Sequence, residues 1–166
     1  MAKRKDLLNI PMTIEWNNKK QNRKHFLRYL IESNNFNTMA EIGVRDGRTT
    51  FYLLNNCPEL TIYGVDLDNS GYYSDEVKEK YGDRLIPIQG NSHLVSQYVP
   101  QVDLVFIDAD HSYNGCRGDI YVYRDKVNPQ GILSGHDIDY PGVNQAVNEL
   151  VKDYSVGPNN VWFVKS

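Results

Sequence analysis

Cysteine is scarce in this chain, and the scarcity excludes a good deal. Cys57 stands before Pro58 and Cys116 lies in a helix-compatible stretch; there is no CxxC pair and no histidine at ligand spacing. A disulfide scaffold and a zinc-ribbon site are both excluded, and the two thiols read as reduced. No apolar run approaches the roughly 20 residues that cross a bilayer. Residues 1–22 have a charged start but lack the apolar core of a signal peptide, so a soluble, cytoplasmic protein that does not act at a membrane is expected. Repeats and low-complexity tracts are absent too. Charge of one sign is scarce overall, with a net of -3, but it is unevenly spread. Residues 1–28 carry +6 and the rest -9. The basic head reads either as an arm for an acidic partner, nucleic acid or another subunit, or as a solvated terminus. The acidic body argues against a nucleic-acid enzyme.

What is present suits one compact domain: 166 residues, 40% of them hydrophobic. We divide the chain into a basic N-terminal arm, 1–21, and a single domain, 22–166. Segment 7–16, mixed apolar and polar around Pro11, reads as an irregular arm lying over the domain or a neighbour; with the twelve tyrosines it is compatible with a homodimer. From Asn22 onward, Phe26, Leu27, Leu30 and Ile31 have helical spacing, ending at polar residues 33–37. Strand-like runs at 39–44, 62–66, 85–89, 104–108 and 132–134 then alternate with helix-length segments at 48–56, 74–81, 92–98, 114–126 and 143–153. Such alternation implies a parallel sheet with crossover helices. Residues 154–156 and 161–164, around Gly157-Pro158-Asn159-Asn160, read as two short strands and a turn. The expected fold class is α/β, Rossmann-like and doubly wound, with a mostly parallel seven-stranded sheet ending in an antiparallel hairpin.

In such sheets ligands lie beyond the carboxyl ends of the strands, and every one of these ends carries polar residues. The first run reads Ala40-Glu-Ile-Gly43-Val-Arg45-Asp-Gly47. Gly43 lets backbone approach a ligand, and Gly47 allows a tight start to the next helix. The middle glycine of a dinucleotide fingerprint is missing, and Glu41 precedes the first glycine, which suits a ligand bearing positive charge. Asp66, about 20 residues beyond the turn, is placed to accept from both ribose hydroxyls, or else caps a turn. Gly90-Asn91-Ser92-His93 offers short polar groups to an adenine edge, with Asn91 also a good helix cap and His93 more simply a structural histidine. The fourth run delivers Asp108, Asp110 and His111 together, three titratable groups suited to a metal, to proton transfer, or to both. His136 and Asp137 end the fifth. Asp108, His136 and Asp137 form a candidate mixed N/O site for Mg2+, Mn2+ or a similar ion.

Taken in order, these motifs resemble a class I S-adenosylmethionine-dependent methyltransferase. The glycine turn is similar to that of the catechol and caffeoyl-CoA O-methyltransferases. Phe106-Ile-Asp-Ala-Asp-His-Ser-Tyr and Gly131-Ile-Leu-Ser-Gly-His-Asp, with Tyr140-Pro-Gly-Val, are similar to the macrolide and aminocoumarin sugar O-methyltransferase group. The resemblance spans residues 36–166. It implies that Glu41, Gly43, Val44, Gly47, Asp66, Leu67, Asn91, Ser92 and Asp108 contact the cofactor, and that Asp108, His136 and Asp137 hold a divalent metal. Asp110 or His111 would serve as base. His136 departs from the acid pair or Asp-Asn usual there. The implied reaction is methyl transfer to a hydroxyl of a small molecule or sugar, by in-line displacement without a covalent enzyme intermediate. Two other readings stay open: a binding or interaction module that kept the fold without turnover, and a metal-dependent, hydroxylase-like enzyme using Asp108, His111 and His136 as a two-histidine, one-carboxylate set.

Overall fold

Helix α1 (Arg23–Asn34) begins at Asn22, whose side chain accepts from the Lys24 N–H at 3.2 Å while its own N–H donates to His25 Nδ1 at 3.2 Å. This reciprocal cap satisfies donors that a helix start would leave orphaned. The helix stops at Asn35, which adopts a left-handed conformation, φ 54°. The structure is a computed structural model and describes residues 22–166. The readings for the arm at 1–21 and for segment 7–16 lie outside the described residues.

After α1 the chain runs β1 (Thr38–Ile42), α2 (Arg48–Asn56), β2 (Thr61–Asp66), α3 (Asp75–Tyr81) and β3 (Leu85–Gln89). It continues through α4 (Ser92–Val95), β4 (Val102–Ile107), α5 (Tyr113–Tyr123), β5 (Val127–Gly135), α6 (Pro141–Leu150), β6 (Ser155–Val156) and β7 (Trp162–Lys165). The sheet order is β3-β2-β1-β4-β5-β7-β6. β1 to β5 are mutually parallel, and β7 runs antiparallel to both β5 and β6. The expected seven-stranded, doubly wound sheet with its closing hairpin is the observed fold.

Alternation along the strands divides the core in two. Leu104 and Phe106 of β4 face a cluster with Phe26, Leu53 and Phe163. Val105 and Ile107 face the other side, with Ile120, Val147 and Trp162. Burying each such side chain contributes about 2 kcal/mol. α1 is locked to the hairpin by the Phe26 and Phe163 rings, 5.4 Å apart in an edge contact. Among the described residues no helix is long and apolar enough to cross a membrane.

Several boundaries differ from expectation, each for a local reason. β5 is longer than 132–134, because Pro129 and Gly131 obscure its first half. Its pairing with β4 slips between Val102 and Leu104, with Gln130 at φ 71° in the irregular stretch. Segments 92–98 and 114–126 each break into an α-helix followed by a 3-10 turn, Ser96–Tyr98 and Arg124–Lys126. α6 starts early because Pro141 occupies its first turn, where a missing N–H costs nothing.

Opposite the ligand edge, Asp103 ties three strands together. Its Oδ2 accepts from the Asn37 and Thr38 N–H groups, both at 3.0 Å, and from Thr38 Oγ1 at 2.9 Å, while Oδ1 accepts from Asn128 Nδ2 at 2.9 Å. Asp103→Ala leaves these donors unpaired and is expected to cost about 2 kcal/mol. Urea unfolding should show this as a lower midpoint with an unchanged slope.

Candidate functional site

The sheet reverses direction of growth at β1, which has β2 on one side and β4 on the other. There the Gly43 N–H donates to Val65 O and the Asp108 N–H to Ile42 O, both at 2.8 Å, so the two strand exits lie side by side. A Cβ on Gly43 would stand 2.3 Å from the Asp108 carbonyl oxygen. Only glycine permits that approach. Beyond it the loop takes positive φ at every second residue: 91° at Gly43, 61° at Arg45 and 75° at Gly47. The middle position keeps a glycine-like conformation with an arginine in it. Asp66 Oδ2 supports the strain by accepting from the Val44 and Arg45 N–H groups at 2.9 and 2.7 Å.

Beyond the strand ends lies a cleft of two lobes that share Gly43, Arg45, Asp108 and Ala109. The first, about 490 Å3, is lined by Asp66, Leu67, Asn91, Ser92, Asp110 and Asp119 among others. At its floor Asp119 is 1% exposed. Its Oδ1 accepts from Ser92 Oγ at 2.5 Å and lies 3.2 Å from His93 Nε2. Burial pushes the Asp119 carboxyl up, against the lowering effect of the Ser92 hydrogen bond and the His93 charge. α5 makes room for this group: a Cβ at Gly118 would sit 2.3 Å from the His93 ring. Asp110, exposed at the mouth, accepts from the Ser112 N–H at 2.8 Å, and this hydrogen bond holds its carboxyl below the usual range.

The second lobe, about 380 Å3, is lined by Arg23, Glu41, Asp108, His111, His136 and Asp137 among others. His111 Nε2 lies 3.0 Å from Asp137 Oδ2 and 3.6 Å from Asp108 Oδ1. His136 Nδ1 lies 3.0 Å from Asp137 Oδ1 and 3.6 Å from Asp108 Oδ1, and its Nε2 is buried without a partner. Burial lowers the pKa of His136, but the hydrogen bonding and charge of Asp108 and the charge of Asp137 outweigh it and hold the ring above its ordinary value. Asp137 is itself left-handed, φ 56°, a conformation that aspartate tolerates. The Tyr140 ring packs 5.0 Å from His111. Arg23 Nε stands 3.3 Å from Asp108 Oδ2, as a charge contact without hydrogen-bond geometry.

A family model described as a methyltransferase domain matches residues 40–138, from the glycine turn to just beyond His136 and Asp137. The chain belongs to that family. No curated protein matches it significantly. Among solved structures, this methyltransferase domain is similar to a proposed caffeoyl-CoA O-methyltransferase from Staphylococcus aureus: 15% identity, 86% of this chain, 81% of that one, TM-score 0.71. It is also similar to CalS11, a TDP-rhamnose 3'-O-methyltransferase of calicheamicin biosynthesis, at 18% identity over 86% of this chain and 76% of that one, TM-score 0.67. A third is the MycE methyltransferase of the mycinamycin pathway, in complex with Mg and SAH: 19% identity, 86% of this chain, 45% of that one, TM-score 0.63. At these identities the likeness is one of fold.

The residues singled out from the sequence of this methyltransferase distribute unevenly over its cleft. Asp66, Leu67, Asn91 and Ser92 line the first lobe, Glu41 and Val44 the second, and Gly43 and Asp108 both; Gly47 lines neither and shapes the turn instead. Asp110 and His111, paired as candidate bases, are separated: Asp110 opens on the first lobe and His111 on the second. Asp108, His111 and Asp137 bring donor atoms within 4.8 Å of one another, and His136, the imidazole expected in that set, lies beside them, as near to both acids as His111 is. Arg23, Asp119 and the pairing of His93 were not anticipated. Asp119 carries a weak signal, an acid after Gly118 on an otherwise apolar helix face; Arg23 carries none.

Glu41 differs most from expectation. It is 2% exposed and accepts from Thr50 Oγ1 at 2.5 Å, and burial pushes its carboxyl up to about 8. Unfolded, the group ionises near 4.5. Its stabilisation is therefore complete below about pH 4.5 and is lost as pH rises through about 8. Glu41→Gln removes that dependence. Measured by scanning fluorimetry without added cofactor, the melting temperature of the variant minus that of the wild type is expected to grow from about pH 5 to about pH 9. A flat difference would mean that the carboxyl is ionised throughout.

Proposed function

We propose that this methyltransferase transfers the methyl group of S-adenosylmethionine to a hydroxyl oxygen of a small molecule or sugar. The observation that carries the reading is the meeting, at Asp108, of a nucleoside-sized lobe and an acid and imidazole lobe. The first lobe fits the nucleoside in kind. It offers the Asp66 carboxylate to ribose hydroxyls, and the Asn91-Ser92 helix start, braced by the buried Asp119, to a base edge. Glu41 lies close to where the lobes join, and a cationic ligand there would favour its ionised form. CalS11 is a TDP-rhamnose 3'-O-methyltransferase, and this supports a sugar or similarly small acceptor here.

Two carboxylates and an imidazole with donor atoms within 4.8 Å suit a divalent ion. Asp108, His111 and Asp137 would hold it, and it would supply Lewis acidity toward the acceptor oxygen. Two carboxylates face this centre whichever imidazole joins them, unlike a two-histidine, one-carboxylate set, which favours methyl transfer over the hydroxylase-like reading. The chain's own residues perform the remaining tasks. The Gly43 crossing brings both lobes to one point, so that an acceptor oxygen in the second faces a methyl group in the first. His111 would take the acceptor's proton at its other ring nitrogen, since Nε2 faces the acceptor oxygens of Asp137 and Asp108, which fix the orientation of the ring. Asp110 sits in the other lobe with a depressed pKa, a poor combination for a base. His111 thus has two uses, ligand with an ion bound and proton acceptor without one.

Titration calorimetry with S-adenosylhomocysteine tests the cofactor, and turnover on a panel of glycosides and catechols, with and without Mg2+, tests the reaction. Absence of heat at millimolar ligand would refute the reading; binding without any turnover would leave a binding module. Asp66→Ala is expected to weaken S-adenosylhomocysteine about tenfold or more. His111→Ala should lower kcat at least about a hundredfold while leaving that affinity nearly unchanged.

A further inference from the structure

Arg23 reaches the centre from an element with no motif. It is the first residue of α1, and its backbone N–H donates to Asn159 Oδ1 at 3.0 Å, which ties the helix start to the turn between β6 and β7. Its guanidinium enters the second lobe and lies against Asp108, one of the three groups whose donor atoms converge there. The Asp108 and Asp137 side chains are largely enclosed, at 14% and 17% exposure. Two carboxylates that close to one another in a sheltered site repel unless a cation stands beside them.

We propose that Arg23 is the resident counter-cation of Asp108, and that a divalent ion binds this centre by displacing it, so that Arg23 sets the metal affinity of the site. A guanidinium keeps its charge at any working pH, so it cannot yield by losing a proton and must move away. It has somewhere to go, since its side chain is 36% exposed. Among the described residues, the contacts that hold the helix start do not use that side chain: the tie to Asn159 uses the backbone, and the cap belongs to Asn22. The contact with Asp108 is one of charge only, with Nε buried and no hydrogen bond made. Such a contact is exchangeable for a stronger charge. The inference rests on Asp108, His111 and Asp137 as a metal-binding set and goes beyond the methyl-transfer reading, because it concerns what occupies the centre before an ion does.

The test is Mn2+ titration of the full chain, followed by the electron paramagnetic resonance signal of free Mn2+, for wild type, Arg23→Gln and Arg23→Lys. Arg23→Gln is expected to bind Mn2+ about tenfold tighter than wild type or more, and Arg23→Lys to stay within about threefold of it. Adding Asp108→Asn to Arg23→Gln should abolish the gain. Equal or weaker Mn2+ binding by Arg23→Gln, a gain that survives Asp108→Asn, or no Mn2+ binding by any variant at millimolar concentration would each overturn the proposal. S-adenosylhomocysteine titrated in parallel tests the methyl-transfer reading separately. If it fails to bind wild type, that reading falls, and the Mn2+ comparison still decides the role of Arg23.

Discussion

β1 and β4 leave the sheet so close together that the backbone of one fills the space a side chain on the other would need. A Cβ at Gly43 would fall 2.3 Å from the Asp108 carbonyl oxygen, and the arrangement of the cleft depends on that contact being free of one. Because the exits touch, one carboxylate, Asp108, borders both lobes together with Gly43, Arg45 and Ala109. The loop after Gly43 must then turn at once, and Asp66 from the neighbouring strand receives two of its N–H groups. The parallel sheet supplies this geometry only at its switch point, where neighbouring crossover connections diverge.

The two lobes differ in how they treat charge. In the first, a buried carboxylate, Asp119, is satisfied by Ser92 and His93, and α5 accepts a glycine in its interior, at a cost of about 1 kcal/mol relative to alanine, so that the ring fits. In the second, acids, imidazoles and a guanidinium are set against one another with few true hydrogen bonds. The first is a polar network closed on itself. The second keeps a buried nitrogen, His136 Nε2, with no partner, as suits a place where incoming groups supply the missing interactions.

How much of this was legible in the sequence follows from the range over which each signal acts. The strand ends were readable because an apolar run that stops at an acid or glycine is a local pattern, and the terminal hairpin was readable from Gly157-Pro158 and its asparagines. The first half of β5 was hidden by Pro129 and Gly131, which argue locally against a strand that tertiary pairing enforces. Asp108, His111 and Asp137 were visible as candidates, but which imidazole joins the acids depends on side-chain directions after two separate strands. Spacing does not encode those directions. Arg23 lies in a basic stretch that looks solvated, and only the docking of α1 brings it to Asp108. The carboxylate of Glu41 was evident, whereas its enclosure beside Thr50 is a property of packed layers.

α1 is seated both by α2, where Arg28 Nη1 donates to Asn56 Oδ1 at 3.0 Å, and by the hairpin: Phe26 packs on Phe163, a Cβ at Gly157 would collide with the Phe26 ring, and Asn159 takes the Arg23 N–H. The hairpin in turn needs β5, since β7 lies between β5 and β6. An early segment and a late one therefore meet only after everything between them has paired. In a chain emerging from the ribosome, the glycine turn and Asp66 can settle while the sheet is still growing, but the tie from Asn159 to the start of α1 waits for residues 155–165. The Arg23 end of α1 thus gains its last anchor with the final strands, and until then its seat is the one on α2.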